Sequence, residues 1–73
     1  MTDVTTMEEV EDILKNCKNS NEIFKWAVML MKDVECITEN QAIHKIHGRL
    51  NYAKKIIAKY EYGINVELVE FVT

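Results

Sequence analysis

The chain has 73 residues, of which 48% are hydrophobic and 29% charged, and its net charge is −3. This length allows one domain with a thin margin of stability, and this composition is typical of a folded protein rather than a disordered one. No apolar run reaches the roughly 18 residues of a membrane span, and the acidic first residues do not form a secretory signal. We therefore expect a cytoplasmic protein with reduced cysteines.

Three polar segments predict where helices begin. They open at Thr6, Asn19 and Thr38, and each is followed three residues later by a glutamate or a glutamine. In such a capping box the first side chain accepts from a free backbone N–H, and the last side chain reaches back to the N–H of the cap. The sequence predicts a mainly α fold, namely a compact three-helix domain with a short C-terminal β-strand, over residues 1–73.

The first half of the chain predicts an arm and two helices. Residues 1–5 are expected to be a flexible arm, and the first helix is expected from Met7 to about Lys18. The second helix is expected from Ser20 or Asn21 to Cys36, and it is apolar on most of its circumference. A helix of this kind must be covered on most sides, either by the other helices or by a second copy of the chain.

The second half predicts one long helix from Glu39 to Tyr62, with an apolar seam that runs from Ile43 to Tyr60. Gly48 is the weak point of this helix, because glycine costs about 1 kcal/mol relative to alanine inside a helix. It marks either a close approach of another backbone, or a kink or break that divides the segment in two. Gly63 is expected to end the helix in the left-handed conformation.

The tail, residues 64–73, is ambiguous. Apolar and polar residues alternate in its first half and β-branched residues are frequent, which favours a strand. A helix capped by Asn65 is the alternative. A lone strand needs a partner for its backbone groups, which the arm or another chain would supply.

Charge is distributed unevenly along the sequence. Residues 1–37 contain eight acidic residues and four lysines, whereas residues 38–63 contain five basic residues and two acidic ones. This asymmetry indicates solvated helix faces, an internal match between helices, or two surfaces of opposite sign.

Few residues indicate catalytic or metal chemistry. His44 and His47 lie three residues apart and could share a metal, but Cys17 and Cys36 do not complete a known ligand spacing. No motif pairs Cys36 with a histidine, and two glycines cannot form a phosphate-binding loop. We expect no metal site, no cofactor and no enzymatic activity.

The sequence is most consistent with a small non-enzymatic module that binds protein. An apolar second helix, an unpaired strand and a small core all favour association, so we expect a homodimer, with no membrane contact. Size and acidity suit a regulator or inhibitor made by a virus or mobile element. The expected interface residues are Trp26, Met29, Met31, Tyr62, Val66, Leu68 and Phe71.

The alternative function is a helix-turn-helix-like regulator that binds DNA through the basic helix 39–62. Its basic and amide side chains are of the types that contact phosphates and base edges. Negative net charge, a short turn without glycine before this helix, and the length of both predicted helices count against it. A purely structural subunit is a third class. The candidate nucleic-acid-binding residues are Gln41, His44, Lys45, Arg49, Lys55 and Lys59.

Overall fold

The structure is a computed structural model that describes residues 6–17 and 19–67. These residues form four α-helices: α1 (Met7–Leu14), α2 (Ser20–Glu35), α3 (Glu39–Ile46) and α4 (Leu50–Tyr60). No strand occurs in these two ranges. The mainly α prediction is confirmed, but the prediction of three helices with a C-terminal strand is wrong.

The first three helices begin at the predicted caps. The Thr6 hydroxyl accepts from the backbone N–H three residues later at 3.2 Å, and the Asn19 side chain does the same at 3.3 Å. Thr38 forms the full capping box with Gln41, because each side chain accepts from the other residue's backbone N–H. These bonds satisfy donors that every helix start leaves free.

The predicted long helix 39–62 is divided at His47 and Gly48. Both residues have left-handed backbones, with φ of 49° and 69°, so the helical hydrogen-bond ladder stops there. The Arg49 guanidinium donates to the carbonyls of Lys45 and Ile46, which occupies acceptors that the end of α3 leaves free. Of the roles considered for Gly48, the break is the one observed.

This break changes which residues face the core. A single helix would place Ile43 on the apolar seam, yet Ile43 is 52% exposed while its neighbour Ala42 is buried. Tyr52, which is not on that seam, is buried. The three residues between α3 and α4 change the direction of the chain and the rotational phase of the second helix relative to the first. The apolar positions predicted for one continuous helix therefore do not all face the core.

The core is organised around α4, which packs against both α2 and α1, while α3 packs mainly on α2. This arrangement covers much of α2 within one chain, although Val34 near its end is 55% exposed. The buried core residues are Val10, Leu14, Ile23, Ala27, Val28, Met31, Ala42, Ile46, Tyr52, Ala53, Ile56, Ile57 and Ala58.

The chain after α4 turns back towards α2. Gly63 is left-handed, with φ of 68°, and its N–H donates to the carbonyl of Lys59 at 3.1 Å, as in an αL helix end. Residues 64–67 are irregular, so the predicted strand is wrong over this part of the tail. The rest of that predicted strand, residues 68–73, and the predicted arm 1–5 lie outside the described residues.

Candidate protein-interaction groove

A groove of about 540 Å³ lies between α2 and α3. We call it the α2–α3 groove. Its apolar lining consists of Phe24, Val28 and Met29 from α2 and Ile43 from α3. Val28 is buried and Phe24 half-buried, so these two residues form the floor on which the more exposed side chains lie.

Met29 and Ile43 are unusually exposed for large apolar side chains. Met29 is 62% exposed and Ile43 is 52% exposed. Met29 is exposed because it lies on the solvent-facing side of α2. Ile43 is exposed because α3 packs on the core through the face that carries Ala42. Apolar side chains that gather in a concave surface with polar residues around them are typical of a binding site.

The charged residues of the α2–α3 groove are mainly basic. Lys25 and Lys32 lie on the same stripe of α2 as Met29, four residues before it and three residues after it, and Glu39 lies at the start of α3. Lys25 and Lys32 are exposed, and neither forms an ion pair with a residue of the described ranges. The groove thus combines an apolar floor with two lysine ammonium groups available to a ligand.

Among the described residues, most of those predicted as a protein interface are not part of the α2–α3 groove. Trp26 is half-buried and packs edge-to-face against Tyr62, with the ring centroids 6.3 Å apart. Met31 is fully buried at 0% exposure and is therefore a core residue that a partner cannot reach in this fold. Val66 is half-buried in the irregular tail, away from the residues that line the groove.

Of the seven predicted interface residues, only Met29 lines the α2–α3 groove, and Leu68 and Phe71 lie outside the described residues. Phe24 and Ile43 were missed, because both fit an apolar seam. The sequence signal that identifies the groove is a methionine between two lysines on one helix face.

The predicted nucleic-acid-binding residues are partly engaged within the chain. Gln41 closes the capping box of α3, Lys45 forms a salt bridge with Glu35 at 2.8 Å, and the Arg49 guanidinium lies 4.6 Å from the centre of the Tyr52 ring. His44 and Lys59 are exposed and Lys55 is half-buried. The fold therefore employs three of the six in holding α3 and α4 in place.

A second depression lies between α1 and α4 and is more polar. Its lining includes Arg49, Lys54 and Lys55 from the α4 side and Glu11 from α1. One acidic side chain of α1, Glu11, therefore lies in the same depression as three basic side chains. Glu11 partly offsets the positive charge that this depression would offer to an anion.

Glu35 is the centre of a polar cluster away from the groove. Its two carboxylate oxygens accept from Lys45 at 2.8 Å and from the Tyr60 hydroxyl at 2.9 Å. The hydrogen bond from Lys45 holds the pKa of Glu35 below its usual value, whereas burial, with the bond to Glu35, raises the pKa of Tyr60 to about 12. The cluster joins α2, α3 and α4, and none of its side chains lines the α2–α3 groove.

The side chains considered for metal or nucleophile chemistry lie apart. The His44 and His47 rings have centroids 6.3 Å apart, and no third histidine, cysteine or acidic side chain of the described ranges joins them in a metal-binding group. Both cysteines are free thiols, Cys17 half-buried and Cys36 exposed. None of these four side chains lines the α2–α3 groove.

Comparisons with protein families, with curated proteins and with solved structures gave no match to this chain. Among the residues that the structure describes, no helix has both the length and the apolar character needed to cross a membrane.

Proposed function

We propose that this chain is a small non-enzymatic protein-interaction module that binds a partner through the α2–α3 groove. The observation that carries the proposal is the exposure of Met29 and Ile43 side by side in one concave apolar surface. Burying a large apolar side chain contributes about 1.5–3 kcal/mol. A partner that covered both side chains would therefore gain a substantial part of its binding free energy from them. Methionine adapts its shape readily to a ligand.

The partner is proposed to be a different protein. The sequence favoured a homodimer because α2 is apolar nearly all round, the tail resembles an unpaired strand and the core is small. In the fold, α3 and α4 cover much of α2, and residues 64–67 form no strand, so within the described residues neither of the first two features calls for a second copy. Sedimentation equilibrium of the purified chain and of Met29→Glu tests the alternative, since a stable dimer that Met29→Glu abolishes would make a second copy the groove's occupant.

The proposal is tested by two substitutions on one helix. Met29 and Val34 are both exposed residues of α2, but only Met29 lines the groove. The tagged wild-type chain, Met29→Glu and Val34→Glu are incubated with a source lysate, after circular dichroism has established that all three are folded. Proteins bound by wild type and Val34→Glu but lost with Met29→Glu support the proposal. Equal capture by all three would contradict it.

The connection between α3 and α4 favours DNA binding as a second candidate function. An eight-residue helix, a turn with a left-handed Gly48, and an eleven-residue helix have the dimensions of a helix-turn-helix. The partly or fully exposed face of α4 carries Asn51, Lys55 and Lys59. The objections about helix length and a turn without glycine applied to the two helices predicted on either side of Thr38, and they do not apply to α3 and α4. The negative net charge and Glu11 of α1 still oppose DNA binding.

Gel-shift titrations with a random DNA duplex at several salt concentrations test this second candidate. Binding that weakens steeply with salt, and is lost in a Lys55→Glu and Lys59→Glu double variant, would support it. Absence of DNA binding at low salt would contradict the second candidate function. The Met29→Glu variant serves as the control here, because the groove lies on other helices than the basic face of α4.

A further inference from the structure

We propose that the α2–α3 groove selects an acidic amphipathic helix of the partner protein. This inference rests on the proposed function, and it names the chemistry of the ligand. Lys25 and Lys32 flank Met29 along one stripe of α2, without ion-pair partners among the described residues. An apolar contact with two cations beside it matches a helix whose apolar stripe is flanked by carboxylates.

The spacing of the two lysines defines the spacing of the carboxylates. Lys25 and Lys32 are seven residues apart, which corresponds to about 10 Å along a helix axis. A ligand helix lying along α2 presents its own side chains at the same interval when they are seven residues apart. The ligand therefore carries two acidic residues at i and i+7, with an apolar residue between them that contacts Met29.

The dimensions of the groove favour a short helix. The groove extends along α2 from Asn21 to Lys32, which is about 16 Å or three helical turns. Glu39 lies on the opposite wall, at the start of α3. An acid on that flank of the ligand would face Glu39 and be repelled, so this side of the ligand is expected to be basic or neutral. The acidic residues belong on the α2 side only.

A second copy of this chain fits the groove poorly. A two-fold axis that laid α2 antiparallel along its copy across Val28 and Met29 would bring Lys25 of one chain to Lys32 of the other. A parallel arrangement would bring each lysine to its own equivalent. Because like charges in direct opposition are unfavourable, the lysines act against self-association and favour an acidic partner.

The test is a selection from displayed peptides of about twelve residues, with apolar residues fixed at one helical stripe and random residues at both flanks. The full chain is the bait. We expect enrichment of aspartate and glutamate at two positions seven apart on one flank. The selected peptide should bind about five- to tenfold more weakly to Lys25→Glu with Lys32→Glu than to wild type, as two surface ion pairs are lost.

The control variant, Lys55→Glu with Lys59→Glu, has the same change in net charge but lies outside the groove, and it should bind like wild type. Selection repeated on the Lys25→Glu, Lys32→Glu variant should enrich lysine and arginine instead. Enriched peptides without an acidic excess, equal weakening in both double variants, or failure to enrich any peptide would each overturn this inference. The proposed function is judged separately, by whether Met29→Glu abolishes partner capture.

Discussion

Tyr60 donates its phenolic hydrogen bond to Glu35 across 2.9 Å, although the two residues are 25 positions apart in the sequence. The other oxygen of the same carboxylate accepts from Lys45 at 2.8 Å. One acidic side chain at the end of α2 therefore holds both α3 and α4.

The hydrogen bond between Glu35 and Tyr60 should show energetic coupling. Single and double variants with Glu35→Gln and Tyr60→Phe are compared by urea unfolding, and the interaction free energy is expected to be about 0.5–1.5 kcal/mol. The partial exposure of both side chains keeps it in the lower part of that range. Glu61→Gln, at an exposed position just after α4, is the control and should change stability little. Strict additivity of the two changes would contradict the coupling.

The same pair should make stability depend on pH at both extremes. The pKa of Glu35 is lower in the folded chain than its usual 4.5, so its contribution is present above pH 4.5 and is lost as the pH falls through the folded value. The pKa of Tyr60 is raised from 10.0 to about 12. Its contribution is therefore present below pH 10 and is lost as the pH rises towards 12.

Midpoints of urea unfolding, measured from below pH 4.5 to pH 12, test the direction of both pH effects. The stability difference between wild type and Glu35→Gln should shrink as the pH falls well below 4.5, and that between wild type and Tyr60→Phe should shrink between pH 10 and 12. Differences that stayed constant with pH would show that these groups do not link protonation to folding.

Two methionines of α2 should respond very differently to truncation. Met31 is at 0% exposure whereas Met29 is 62% exposed, so Met31→Ala creates a cavity and should cost about 2–5 kcal/mol. Met29→Ala should change stability by less than about 0.5 kcal/mol, because it removes a surface side chain. Thermal unfolding of both variants measures the difference. Similar losses would contradict the assigned orientation of α2.

Gly48→Ala should destabilise the chain without a steric clash. A Cβ at this position would meet no heavy atom within 4 Å, but the backbone has a φ of +69°. The left-handed conformation is unfavourable for alanine, so we expect a loss of about 1 kcal/mol. Asn51→Ala, in the exposed part of α4, is the comparison. A stabilised Gly48→Ala variant would indicate that α3 and α4 join into one helix.

Cys36→Gly should stabilise the chain, in contrast to Gly48→Ala. Cys36 ends α2 in the left-handed conformation, with φ of 54°, where glycine carries no Cβ penalty. Its thiol makes only a long contact, 3.9 Å, to the carbonyl of Asp33. Relief of backbone strain should outweigh the added freedom of the unfolded chain and raise stability by up to about 1 kcal/mol. Cys36→Ala, which keeps the Cβ, should not show this gain.

Local sequence signals predicted the starts of α1, α2 and α3, but not the start of α4. Thr6, Asn19 and Thr38 act as caps through bonds to residues only three positions away, so these features depend on near neighbours alone. The left-handed Gly63 after α4 was predictable for the same reason. The conformation of residues 64–67 was not predictable in this way, because alternation of apolar residues indicates a strand only where another strand is available for pairing.

The tertiary structure decided which surfaces are exposed. Gly48 was visible in the sequence as a weak point, but the left-handed His47 beside it and the bonds from Arg49 to the end of α3 made the break. That break turned Ile43 outward, next to Met29. The candidate groove thus arises from the relative placement of α2 and α3. Helical periodicity within either segment does not predict this placement. Short-range hydrogen bonding determined where the helices begin, whereas packing across the chain determined which faces remain open to a partner.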